Sequence, residues 1–409
     1  MIATGGYRKY LAFFGKRNVG KSSLINALVG QDVSIVSDVP GTTTDPVYKS
    51  LEIHPIGPVT VVDTPGVDDV GELGELRVKR ALKAMYKADI AILVVDQRWN
   101  EYEDWLIEQF IKMDLPFVIA VNKIDQSWNT SEIEPKVSPY PHCFVSGLKK
   151  TGIEDLRRLI SENLPQEEDI PLLSDLIEAG ETVLLVVPID LGAPKGRLIM
   201  PQVEAIREVL DREALCLVVK ERELRWALQM MKEAPSLVVA DSHLISRIAA
   251  DVPDEIPLTT FSILEARHKG DLVEMVKGIK RVEELTPESK IMIMEGCSHA
   301  PLVEDIGRVK IPRWLSNHIG GGLSFEIRAG RDFPEDIGEI DLIIHCGGCT
   351  LTRAMMMRRI REARRRGIPI VNYGVLISYL HGVLERVLRP FPDAHTIYIE
   401  EIEGVTHEN

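Results

Sequence analysis

Short apolar runs alternate with longer segments whose apolar residues recur at helical spacing along most of the chain. Near the amino end, 11–14, 59–62, 90–95 and 117–121 read as strands, with gaps long enough for crossover helices and a closing helix over 153–163. That alternation predicts a parallel sheet covered on both faces. A polar stretch at 164–168 leads into a second block, where 183–187, 214–219 and 237–240 read as buried strands and 201–210, 223–231 and 243–250 as helices. The last third alternates again, with strands at 290–294, 339–344 and 368–372 and helices at 351–366 and 375–388. The pattern predicts an α/β protein of three domains, 1–167, 168–262 and 263–409, each built on its own sheet.

Composition leaves this picture standing. The chain is 45% hydrophobic and 27% charged, which excludes a disordered or fibrous protein. Lys and Arg total 48 against 62 Asp and Glu, and the net charge of −14 gives no whole-molecule field toward nucleic acid. No apolar run approaches the roughly 18 residues of a membrane helix. Residues 1–14 lack a signal-peptide pattern, so the chain is expected in the cytosol. Five cysteines do not make a disulfide framework; three of them cluster with histidines late in the sequence, which reads as metal binding. Cys216, inside an apolar run, reads as a packed core thiol.

Residues 15–22, Gly-Lys-Arg-Asn-Val-Gly-Lys-Ser, fit G-x-x-x-x-G-K-[ST] between a strand and a helix. Backbone N–H groups at such a helix start cradle phosphate. Gly15, Asn18, Val19, Gly20, Lys21, Ser22 and Ser23 are therefore the expected phosphate side. Lys21 would reach the β- and γ-phosphates, and Ser22 would ligate magnesium. Downstream, Gly41-Thr42-Thr43-Thr44-Asp45 offers a switch threonine for magnesium and the γ-phosphate, Thr43 ahead of Thr42. Asp63-Thr64-Pro65-Gly66 offers a carboxylate behind the magnesium and, at Gly66, an N–H for the γ-phosphate. Asn122-Lys123-Ile124-Asp125 reads the base: the Asp125 carboxylate can accept from guanine's N1–H and exocyclic amine, which adenine does not present. Leaving such partners unpaired discriminates by about four orders of magnitude. Ser146 and Gly147 follow a further short strand and would contact the guanine from the backbone. GTP is thus the expected substrate, Lys21, Thr43, Asp63 and Gly66 the expected catalytic set, and loops 42–44 and 66–71 the expected switch.

Together these motifs resemble the translation-factor-like small GTPases, most closely the bacterial branch containing Era, EngA and the tRNA-modifying GTPase MnmE. Val67 stands where Ras-like enzymes carry a water-orienting glutamine. Asn18 matches the P-loop asparagine of potassium-activated members. The resemblance implies slow intrinsic hydrolysis, with potassium acting near the phosphates where an arginine finger would.

Cys297-Ser298-His299 and His345-Cys346-Gly347-Gly348-Cys349 lie far apart, but each directly follows an expected strand. Parallel strands of one sheet would carry both to the same edge. Three thiolates select zinc or iron–sulfur over hard cations. A zinc site would add one of the histidines. An iron–sulfur cluster normally takes four cysteines, so one iron would carry His299, His345, a carboxylate such as Glu304, or an exchangeable group.

The GTPase motifs, the α/β middle block and this C-x-H…H-C-x-x-C pattern together resemble the FeFe-hydrogenase maturation GTPases over essentially the whole chain. The resemblance implies that Cys297, Cys346 and Cys349 bind a 4Fe-4S cluster with a labile, non-cysteine fourth ligand, and that the middle domain forms a homodimer. It also implies a scaffold and carrier. Two radical-SAM maturases would build a diiron precursor bearing CO, cyanide and a dithiolate bridge, and this chain would deliver it to the apo FeFe-hydrogenase. The first rival is a regulatory GTPase acting on RNA or the ribosome with a structural zinc; the second is a redox or sensing iron–sulfur protein. Arg353, Arg358, Arg359, Arg361, Arg364, Arg365 and Arg366 make the segment after the cysteines basic, either as a solvated face or as a docking surface for an acidic partner. Its lack of aromatic residues argues against RNA.

Overall fold

The computed structural model describes all residues except 1–7, 31–46, 65–71, 127–129, 166–169, 189–197, 297–304, 331–332, 335–336, 403 and 405–409. They form two compact units, Met1–Glu167 and Glu168–Asn409.

The first unit is one six-stranded sheet: β1 (Lys9–Phe14), β2 (Val47–Ile53), β3 (Gly57–Asp63), β4 (Ile90–Val95), β5 (Phe117–Val121) and β6 (His142–Phe144), in the order β2-β3-β1-β4-β5-β6. All neighbours are parallel except β2, which runs antiparallel to β3. The central strand β4 is apolar and buried at all six positions, as a strand covered on both faces must be. Charged Lys49 and Glu52 interrupt the apolar pattern of β2, and the pattern along the chain does not announce it. Such residues are tolerated because β2 lies at the sheet edge. Register levels the carboxyl ends of the strands: Phe13 pairs with Asp63, and Val95 with Val121. The helix Lys21–Val29 starts at Gly20 directly after β1. The helix Glu101–Lys112 opens with a capping box between Asn100 and Glu103.

The second unit carries two parallel four-stranded sheets. β7 (Thr182–Val186), β8 (Leu215–Val219), β9 (Leu237–Ala240) and β10 (Leu258–Thr260) are ordered β10-β9-β7-β8. β11 (Lys290–Glu295), β12 (Ser324–Ala329), β13 (Leu342–His345) and β14 (Ile370–Asn372) are ordered β12-β11-β13-β14. β8 corrects the expectation of a buried strand: it is an edge, and Leu215 is 62% exposed, with Leu217 and Val218 also open. Cys216 is accordingly half-buried rather than a core thiol. The helix expected over 375–388 is two, Tyr373–Leu380 and Leu384–Leu388, parted around Gly382. Among the described residues no helix is long and apolar enough to cross a membrane.

Candidate functional site

The loop after β1 is shaped by its own backbone. Gly15 has φ +138°, and a Cβ there would lie 2.2 Å from the Val94 carbonyl oxygen, so no other residue fits. Asn18 takes the left-handed conformation at φ 63°. At the start of the helix Lys21–Val29, the buried Lys21 Nζ donates to the carbonyl oxygens of Gly15 (2.9 Å) and Lys16 (2.8 Å). The loop thus closes around a positive charge at a helix N-terminus, the arrangement that binds phosphate. Beside it, Ser22 Oγ donates to Asp63 Oδ2 at 2.7 Å, so the two side chains expected around magnesium touch. Burial pushes the Asp63 carboxyl up, against the Ser22 hydrogen bond and the Lys21 charge.

The base-reading segment is tied to the same loop. Asn122 Nδ2 donates to the Val19 carbonyl at 2.8 Å, and its Oδ1 accepts from the Gly147 N–H at 3.0 Å. One amide therefore joins the turn after β1, the turn after β5 and the loop after β6. Asp125 Oδ1 accepts from Ser146 Oγ at 2.6 Å, and Ser146 Oγ in turn accepts from the Lys149 N–H. Lys123, at φ 66°, reaches Asp96 Oδ2 at 3.1 Å. Burial would raise the Asp96 carboxyl, but the hydrogen bonds from Arg98 and the Lys123 ammonium outweigh it and hold it low. Thr42, Thr43 and Gly66 lie outside the described residues. Motif spacing gives no hint of Lys16, whose Nζ forms a buried pair with Glu103 at 2.7 Å and donates to the Arg98 carbonyl at 2.8 Å. It anchors the phosphate loop to the start of the helix Glu101–Lys112.

In the second unit, β11 and β13 are parallel neighbours, and Met294 pairs with His345. The strands that precede the two halves of the cysteine–histidine pattern thus lie side by side. Gly296, the residue before Cys297, donates its N–H to Cys346 Sγ at 3.1 Å and accepts at its carbonyl from Thr350 Oγ1 at 3.0 Å. Burial pushes the Cys346 thiol up, while the N–H groups of Gly296 and Gly348 and the nearby Arg359 charge favour the thiolate. Two backbone donors at one sulfur are the chemistry a thiolate ligand of a metal or cluster needs. Cys297, His299 and Glu304 lie outside the described residues, and among the described ones no group of three or more His, Cys, Asp and Glu is placed to hold a metal ion.

His345 closes β13 fully buried, with both ring nitrogens engaged. Arg359 Nη1, which can only donate, lies 2.7 Å from Nε2. The ring proton is therefore on Nδ1 and is donated to the Cys346 carbonyl at 2.6 Å. Burial, reinforced by the Arg359 charge, drives His345 down to about 3, so the ring is neutral. The basic helix Arg353–Arg365 is occupied internally at Arg353 and Arg359, while Arg361, Arg364 and Arg365 are exposed as a solvated face. Arg353 donates to the carbonyls of Arg267, His268 and Gly270, Arg359 to that of Gly330, and Arg364 pairs with Glu274. Nothing in the sequence pattern distinguished these tethers from a solvated face or a docking surface.

Three family models match in succession: "50S ribosome-binding GTPase" over 10–123, "Hydrogen maturase F dimerization domain" over 172–270 and "Hydrogen maturase F tetramerization domain" over 273–390. GTPase Era of Pseudomonas aeruginosa is 32% identical over 245 residues, spanning 54% of this chain and 78% of that protein. The tRNA modification GTPase MnmE of Nitrosomonas europaea is 39% identical over 145 residues, 35% of this chain and 32% of its own length. A crystal structure of Aquifex aeolicus Era bound to GDP.AlF4- covers 55% of this chain and 98% of its own at 23% identity and a TM-score of 0.34. The amino-terminal domain binds and hydrolyses GTP with magnesium, and the regions behind it are oligomerisation domains. A GTPase domain of the Era and MnmE kind, followed by both Hydrogen maturase F domains in order, places the chain in the Hydrogen maturase F family of hydrogenase-maturation GTPases.

Proposed function

We propose that this GTPase is a scaffold and carrier in hydrogenase maturation. It would bind a 4Fe-4S cluster through Cys297, Cys346 and Cys349 and pass a diiron precursor, made by two radical-SAM maturases, to the apo FeFe-hydrogenase. The observation that carries this reading is the Gly296 N–H on Cys346 Sγ, which ties the backbone beside Cys297 to the loop bearing the other two cysteines. When bound, the cluster supplies an iron open to a non-cysteine ligand. With both nitrogens of His345 engaged, that position falls to His299, Glu304 or an exchangeable group. Cys297, Cys346 and Cys349 would each hold one of the other irons, and the N–H groups of Gly296 and Gly348 would offset the thiolate charge at Cys346.

At the other site Lys21 takes up phosphate charge, Ser22 and Thr43 hold magnesium with Asp63 behind, and Asp125 selects guanine. Potassium at Asn18 would assist. The homodimer would pair through the apolar edge of the middle sheet, where Leu215, Leu217 and Val218 on β8 are open and Trp226 and Met230 are 63% and 65% exposed. The domain division 1–167, 168–262 and 263–409 assigns one task to each sheet.

Anaerobic reconstitution tests the reading, with iron, sulfide and zinc counted in the native chain and in a Cys297→Ser, Cys346→Ser, Cys349→Ser variant. About four irons per chain, with a reducible EPR signal absent from the variant, are expected. One zinc and no iron–sulfur signal would sink it.

A further inference from the structure

Between the cysteine loop and the middle sheet lies a set of buried charges that neither GTP chemistry nor thiolate bonding uses. Lys269 ends the helix Phe261–Lys269 and is 4% exposed. Its Nζ donates to the carbonyl oxygen of Cys349 at 3.2 Å. The same ammonium lies 3.0 Å from Glu265 Oε2, one turn earlier, and 3.7 Å from Glu204 Oε2 on the helix Met200–Asp211. Both carboxylates are buried.

An ammonium taken out of water is costly unless several partners fix it. Here its partners come from three elements, the middle-domain helix, the helix Phe261–Lys269 and the cysteine loop. Nearer the start of the loop, a Cβ built on Gly347 would approach Ser262 Oγ to 3.8 Å and the Glu265 Cβ to 3.9 Å, so the loop rests on the same helix at both of its halves. Arg353, just beyond the loop, donates to three carbonyls at the end of that helix.

We propose that Lys269 is a positioning residue for the Cys346–Cys349 loop, and that Glu204 makes its hold depend on the packing of the middle domain. The functional meaning rests on Cys346 and Cys349 being cluster ligands. The contact itself can be tested on the metal-free chain, so a failure of one claim is distinguishable from a failure of the other.

Full-length reduced, metal-free protein would be alkylated with iodoacetamide, and the rates at Cys349 and Cys216 read in the same chain by peptide mass spectrometry. Lys269→Met is expected to raise the Cys349 to Cys216 rate ratio about tenfold, since a charged hydrogen bond holding the loop is lost. Losing the positive charge alone would disfavour the thiolate and lower the ratio, so a rise reports loop freedom. Glu204→Gln is expected to raise it by a smaller factor. The triple variant Lys269→Met/Glu265→Leu/Glu204→Gln removes both carboxyl groups that the single change strands, restoring thermal stability while the ratio stays high. It also supplies the reading if Lys269→Met does not fold. A ratio that stays unchanged or falls in a folded variant would overturn the proposal. So would one that returns to the native value as stability is restored, because Lys269 would then only neutralise charge. No change in Glu204→Gln would remove the middle domain from the proposal. A zinc-binding chain that gave the expected ratios would overturn the cluster reading alone.

Discussion

At the end of β1 the chain turns into a loop fastened mostly by its own motif residues, Lys21 on the Gly15 and Lys16 carbonyls and Asn122 on Val19 and Gly147, with the buried Lys16–Glu103 pair tying it to the helix Glu101–Lys112. At the end of β13 it turns into a loop fastened by buried charges from elsewhere, Arg359 behind His345 and Lys269 under Cys349. Both loops leave the carboxyl ends of parallel strands, where α/β sheets place their ligands. A phosphate cradle is built largely from its own motif residues, because its backbone N–H groups and Lys21 do the binding. A thiolate loop binds through its side chains, so the elements packed around it set where the sulfurs stand, while the N–H groups of Gly296 and Gly348 favour the thiolate.

That contrast can be broken most sharply at Lys21. Lys21→Ala is expected to lower kcat/KM for GTP by about a hundred- to thousandfold, the effect of losing one charge-stabilising donor. The iron content after reconstitution should be unchanged. Loss of iron from a folded variant would show that the two sites are not independent.

Glycine replacements sharpen the comparison next. Gly15→Ala sets a Cβ 2.2 Å from a backbone oxygen at φ +138° and is expected to cost about 3 kcal/mol or more. In Gly348→Ala, at φ +69°, the Cβ would meet the Met356 Cε at 2.3 Å, the tip of a flexible side chain. About 1–2 kcal/mol is expected there, mainly from the left-handed backbone. Denaturant unfolding of each variant measures both, and equal losses would mean that the cysteine loop is as rigidly confined as the phosphate loop.

Trp226→Glu is expected to weaken the homodimer about thirtyfold, as removal of an interface aromatic does, read by sedimentation equilibrium. An unchanged dimer would place the interface elsewhere than the β8 edge.

The last test concerns Glu265. Burial pushes its carboxyl up to about 8, Lys269 pulling it down and Glu204 adding to the rise. A carboxyl whose folded value lies above its unfolded one holds its proton more tightly when folded. Its contribution to stability is complete below the unfolded value near 4.5 and is lost as pH rises through about 8. Burial alone would lower the Lys269 ammonium, but Glu265 and Glu204 raise it, so it stays charged across this window. The urea midpoint of the native chain should therefore fall as pH rises across that range, and Glu265→Gln should flatten the profile. An already flat native profile would mean that Glu265 is ionised throughout.

Much of the architecture could be read from the chain because strands covered on both faces must be apolar throughout, as β4, β5 and β9 are. The edge strands β2, β10 and β12 escaped for the converse reason, whereas the apolar edge β14 did not. β12 carries Glu326 and Arg328, and β10 has only three residues. β8 reads as buried from sequence because an apolar run looks the same whether it faces a core or a partner. Motif residues such as Lys21, Ser22 and Asp63 stand out because a ligand's chemistry fixes their types and the turns after strands fix their spacing. The cysteines stand out because thiols are few and these ones cluster. No such rule governs the pairing of Lys16 with Glu103, Arg359 with His345 or Lys269 with Glu204 and Cys349. Each joins residues distant in sequence whose types are common on any surface. The chain's residue pattern was enough to place the central strands and to show which chemistries are present. Only the tertiary structure decided which charges are buried together, because burial is a property of packed elements and a charge's partners are set by what the fold brings within a few ångströms.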